Sequence, residues 1–73
     1  MPIVFSKHAR DQLRRRKISH KLVIDVVKNP RKKIVSFRGR SLRQKQLGDK
    51  ILEVVTKTEG SRITIITAYL LGE

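Results

Sequence analysis

The 73-residue chain carries eighteen Lys and Arg against six Asp and Glu, a formal charge of +12, and it has no cysteine. That length allows one domain with a small core, about 60% of its unfolded surface being buried. The composition excludes a disulfide framework and a thiolate metal site, and no segment approaches the ~20 apolar residues of a membrane span.

Residues 3–5 are a short apolar run, read as a first strand. Ser6 then caps a predicted helix over 7–16, with Ala9 and Leu13 on its buried face at i, i+4 spacing. Ser19 offers a second cap for a helix over 20–28, whose stripe is Leu22, Val23, Val26 and Val27; Asn29-Pro30 stops it. The period then changes. Ile34, Val35 and Phe37 predict a strand ending near Gly39, and residues 41–47 another with few apolar members. Gly48-Asp49 reads as a two-residue hairpin turn before a β-branched strand over 51–57. Glu59-Gly60 reads as a second turn, and Arg62 to Leu71 as the longest strand. Its alternation sets Ile63, Ile65, Thr67 and Tyr69 one way and Thr64, Ile66 and Ala68 the other. The order β-α-α-β-β-β-β predicts an α+β domain spanning 1–73, a helix pair on one face of an antiparallel sheet.

Charge is the strongest compositional fact. If every carboxylate paired, twelve cations would still be unmatched, and such an imbalance opposes folding by self-repulsion. A thermophile's ion-pair surface would bring abundant Glu with the Lys, and acidic residues solubilise better than basic ones. Nine of the cations are Arg, whose planar fork suits phosphate. The expectation is a polyanionic partner, read as RNA with DNA as the alternative. The opening Met1 to Phe5 run turns polar at Ser6-Lys7-His8, too short for a signal peptide, so a soluble cytoplasmic protein is expected.

There is no Walker loop, dinucleotide fingerprint or zinc-ligand spacing, so no cofactor and no metal are expected. Six scattered carboxylates form no evident acid–base pair. Within the first helix, His8, Asp11 and Arg15 fall on one side at about 100° per residue. A histidine can exchange protons near neutral pH, though a helix N-terminus disfavours its charged form; the plainer reading has His8 closing the helix start or packing on the sheet. The Arg14-Arg15-Arg16-Lys17 run reads as a solvated basic face or as a phosphate-contacting one, and the two readings are not exclusive. A second cluster holds Arg31, Lys32, Lys33, Arg38, Arg40, Arg43 and Lys45. The two turns pair Leu47 with Lys50, Lys45 with Leu52, Arg43 with Val54 and Lys50 with Tyr69. On that register Arg43, Lys45, Lys50, Thr67 and Tyr69 share a face where cations could stabilise a phosphoryl transition state; alternatively residues 41–47 are an edge strand kept soluble by charge. Tyr69 could stack on a base, donate a proton, or be an ordinary strand aromatic. His20 looks least functional. Three aromatics are too few for a multi-base stacking platform.

Phe5-Ser6-Lys7-His8-Ala9, the cation at Arg14 or Arg15, Lys17-Ile18-Ser19, Asn29-Pro30, Arg38-Gly39-Arg40 and Ile66-Thr67-Ala68-Tyr69 together resemble a small uncharacterised family, domain of unknown function 4258, over nearly the whole chain. The layout also resembles the RelE-like toxin ribonucleases, which cleave messenger RNA with basic residues and often a C-terminal Tyr. That likeness implies a metal-independent endoribonuclease with His8, Arg14, Arg40, Arg43 and Tyr69 as catalytic candidates. Arg10, Arg15, Arg16, Lys17, Arg38, Lys45 and Lys50 are the nucleic-acid-binding candidates. Two other readings stand beside it: a non-catalytic nucleic-acid-binding module, and an interaction domain that docks an acidic, antitoxin-like protein.

Overall fold

In a computed structural model, residues 2–36 and 38–72 are described. The elements are β1 (Ile3–Phe5), α1 (Lys7–Arg16), α2 (His20–Lys28), β2 (Lys32–Val35), β3 (Arg40–Leu47), β4 (Lys50–Glu59) and β5 (Arg62–Leu71). The order is the expected one. All five strands join one sheet, β1-β5-β4-β3-β2. Strands β2 to β5 pair antiparallel in sequence, and β1 adds to the far side of β5 in parallel, so the sheet is mixed. β3 therefore lies inside the sheet, and the edge strands are β1 and β2. β2 begins at Lys32, earlier than expected, and Phe37 lies outside the described residues.

Local chemistry starts and stops each helix. Ser6 sits in the extended region and its hydroxyl accepts from the Ala9 N–H, satisfying one of the orphan donors of α1. At the other end Lys17 turns left-handed (φ 55°), its N–H reaching Arg14 O while Ile18 N–H reaches Leu13 O. This closes a Schellman-type cap with a lysine where glycine is usual. Arg14, Arg15 and Arg16 in the last turn complement the negative helix end. Ser19 caps α2 by accepting from Lys21 and Leu22 N–H. Phe5 stacks on His20, ring centroids 4.4 Å apart, which ties β1 to the start of α2. His20 thus has a packing role that its sequence position did not suggest.

The core joins Ala9, Leu13, Ile18, Val23, Val26 and Val27 from the helical side to Leu52, Val54, Ile63, Ile65 and Ala68 of the sheet. Leu22, expected in the α2 stripe, is 42% exposed. The buried stripe centres on Val23, Val26 and Val27, and Leu22 lies about 90° from that centre at helical spacing.

The register departs from expectation in the last hairpin. Leu47 pairs with Lys50, Lys45 with Leu52 and Arg43 with Val54, as the Gly48-Asp49 turn predicts. At the next turn Glu59 pairs with Arg62, so the two turn residues are Gly60 and Ser61, with Gly60 supplying the positive φ (59°) that such turns favour. The register then shifts: Thr56 pairs with Ile65 but Val55 with Thr67, leaving Ile66 as a bulge. Together these move the partner of Tyr69 from Lys50 to Glu53. An odd displacement reverses the face, so Tyr69 and Thr67 part company with Arg43, Lys45 and Lys50. The bulge likewise separates Ile63 and Ile65, which are buried, from Thr67 and Tyr69.

Candidate nucleic-acid interface

One face of the sheet is covered by the helices and the other is left open. The pairings lay out the open face in rows. Arg40, Lys57 and Thr64 form the first. Ile34, Leu42, Val55 and Thr67 form the next. Lys32, Gln44, Glu53 and Tyr69 follow, and Gln46, Ile51 and Leu71 close the face. Its apolar members are only partly covered: Ile34 is 39% exposed, and Ile51 and Leu71 are each 37% exposed.

At the middle of this face sits a carboxylate that the sequence did not single out. Glu53 is 7% exposed. Gln44 Nε2 donates to its Oε1 at 2.5 Å, and the Tyr69 hydroxyl donates to its Oε2. That bond, with burial behind it, pushes the Tyr69 phenol above its ordinary range, because giving up the proton would set a phenolate against a carboxylate. At neutral pH Tyr69 is therefore a donor that positions Glu53, and Glu53 is an acceptor facing the open side. The available signal was a lone acid among apolar residues in Ile51-Leu52-Glu53-Val54-Val55.

Helix α1 runs beside the part of β5 that continues past β1. The Ser6 hydroxyl donates to Ile66 O (3.1 Å), the Thr67 hydroxyl to Gln12 Oε1, and Arg16 Nη1 to Ala68 O (3.1 Å). Gln12 thus meets the open-face residue next to Tyr69 on β5. His8, four residues before Gln12, lies on the same side of the helix. It is exposed, and the helix start is closed by Ser6 instead.

The remaining candidates are dispersed. Arg10, Arg14, Arg15, Arg16 and Lys17 are all exposed, and Arg14 pairs with Asp11 at 3.3 Å. Arg38 is left-handed (φ 56°) ahead of β3, so it does not share a strand face with Arg40. Arg40 stands opposite Lys57 on the open face. Lys57 lies four positions beyond Glu53, about 13 Å along β4. Arg43 and Lys45 lie on the helix-covered face. Arg43 is 8% exposed, donates to Val27 O at 2.6 Å near the end of α2, and has its Nε unpartnered; burial lowers its pKa. Lys45 pairs with Asp25 at 2.6 Å, and that contact, with a bond from Asn29, holds the Asp25 carboxyl below its usual range. Lys50 follows the Gly48-Asp49 turn opposite Leu47.

The fold thus brings Tyr69, Glu53 and Gln44 together and sets His8 toward the same face, with Arg40 beyond. It does not bring Arg14 or Arg43 to them. Among the described residues no group of three His, Cys, Asp or Glu is placed to hold a metal ion, and no helix is long and apolar enough to cross a membrane.

No curated protein and no solved structure matches the chain. A family model does, over residues 5–70, from the last residue of β1 to Leu70 in β5. The chain belongs to the family described as a domain of unknown function, DUF4258.

Proposed function

We propose that this chain is an RNA-directed, toxin-like domain that works in the cytosol and grips a strand through the cations around α1 and the open sheet face. The observation that carries this reading is where the charge lies. Lys7, Arg10, Arg14, Arg15, Arg16 and Lys17 are exposed along and after one helix, and Arg31, Lys32, Lys33, Arg38 and Arg40 are exposed around β2. Six acidic residues cannot neutralise them, and a phosphate backbone can. RNA is favoured over DNA because Glu53, an acceptor lying just under the open face at 7% exposure, can meet a 2′-hydroxyl of a strand seated there, a donor DNA lacks. The layout, which resembles that of the RelE-like toxin ribonucleases, points the same way by analogy.

Metal-independent cleavage is a second reading, favoured by Glu53. A carboxylate held by Gln44 and Tyr69 can take the proton of an attacking 2′-hydroxyl, and His8 can return one to the leaving oxygen. Arg40 and Lys57 would hold a neighbouring phosphate rather than the reacting one. The test is a denaturing-gel time course with single-stranded and structured RNA in chelator, using the parent chain, Glu53→Gln, His8→Ala and Tyr69→Phe. Discrete fragments that vanish with Glu53→Gln or His8→Ala support cleavage. Intact but shifted RNA on native gels leaves binding alone, and RNA neither cut nor shifted turns the account toward an acidic protein partner.

A further inference from the structure

Away from the open face, a groove of about 510 Å³ lies where α1 turns into α2, lined by Arg10, Leu13, Arg14, Lys17, Ile18 and His20, with Ser19 at its end. Arg10 and Arg14, at i, i+4 spacing, share one side of α1, and Lys17 lines the same groove from the left-handed cap, so three cations surround it. Leu13 and Ile18 give it an apolar floor, and His20 is a flat ring already stacked on Phe5. Asp11 is the acid nearest in sequence, and its contact with Arg14 is an exposed pair that a phosphate can replace. The N–H groups of Lys21 and Leu22 are taken by Ser19, so the side chains, not the helix end, make the site.

Lys17 supplies an independent observation. It occupies the left-handed cap position where glycine has no steric cost, and a side chain held there is strained. A cation kept at the mouth of a groove against the preference of the backbone is the kind of outlier that accompanies a binding role.

We propose that this groove binds one nucleotide of an RNA strand: phosphate between Arg10, Arg14 and Lys17, base over Leu13 and Ile18 against His20. The proposal rests on the RNA reading for its ligand and extends that reading to a second contact beyond the open sheet face. The probe is uridine 5′-monophosphate, titrated into the ¹⁵N-labelled chain with inorganic phosphate and uridine as separate arms. Saturable shifts confined to residues 10–20 are expected. Lys17→Gly should raise the melting temperature by relieving the backbone yet weaken the nucleotide about tenfold, the loss of one charge-assisted contact. Arg10→Gln should weaken it similarly, and Arg62→Gln should leave it unchanged. Shifts scattered over the cationic surface without saturation, or a Lys17→Gly variant that binds like the parent, would overturn the proposal. Phosphate alone giving the full response would overturn the base contact. If RNA oligomers bind and the groove stays silent, this site fails and the RNA reading stands; if the mononucleotide seats there and RNA does not bind, the RNA reading fails and the groove is a site for free nucleotide instead.

Discussion

Removing the Tyr69 hydroxyl tests the arrangement at the centre of the open face. Glu53 has a donor on each oxygen, Gln44 on one and Tyr69 on the other. Tyr69→Phe keeps the ring and strips one donor from a carboxylate that is 7% exposed. A hydrogen bond to a charged group contributes about 1.5–3 kcal/mol. The open face lets water approach in its place, so a loss of about 1.5 kcal/mol is expected at pH 7. In a domain this small that lowers Tm by about 6–12 °C. The pH dependence has a definite sign. The folded pKa of Tyr69 is raised, so the unfolded chain releases the proton first, and the stabilisation, complete below about pH 10, is lost as pH rises toward the folded value. The gap between parent and Tyr69→Phe should therefore narrow above about pH 10. Circular-dichroism melts of the parent, Tyr69→Phe, Glu53→Gln and the double variant supply a thermodynamic cycle. Additive losses, or a Tyr69→Phe melt indistinguishable from the parent, would refute the reasoning.

Three further outcomes follow from the geometry. At Gly39 (φ +75°) an added Cβ would stand 2.8 Å from the Thr58 carbonyl oxygen, whereas at Gly48 it meets nothing within 4 Å. Gly39→Ala should cost about 2–3 kcal/mol and Gly48→Ala about 1 kcal/mol in urea unfolding, the shared part being the left-handed backbone. Arg43→Met should fall within about 1 kcal/mol of the parent or above it, since it removes a buried charge with an unpartnered Nε while filling the space; Arg43→Ala, which empties that space, should lose about 2 kcal/mol or more. Asp25 has a lowered folded pKa, so its contribution is present above the unfolded value of about 3.8–3.9 and lost as pH falls through the folded one. Lys45→Met should flatten that acid limb in melts at low salt, and added salt should shrink the difference.

What the sequence carried depended on how local the signal was. Ser6, Ser19 and Asn29-Pro30 mark helix ends with groups that act within a turn, and Gly48-Asp49 sets its hairpin by turn geometry alone. The pairing of β4 with β5 had no such marker. Its bulge falls at Ile66-Thr67, without glycine, and the choice between Glu59-Gly60 and Gly60-Ser61 as the turn alters the register by itself. The turn shifts the register by two residues and the bulge by one, which moves the partner of Tyr69 from Lys50 to Glu53 and sets Tyr69 on the face opposite Arg43 and Lys45. The site residues that depend on strand partners were therefore misgrouped, while those on α1 were correctly set on an exposed helix. In the sequence Lys17 is one more cation, since without a glycine there nothing announces a left-handed turn. His20 needed the fold to bring Phe5 to it.

The most direct test of the account is the salt dependence of RNA binding. Fluorescence anisotropy of a labelled single-stranded RNA, followed from low to near-physiological salt, should give log affinity falling against log salt with a slope of about −4, as expected for five or six neutralised phosphates. A flat dependence, or no binding at low salt, would contradict the claim that this surface is built for RNA.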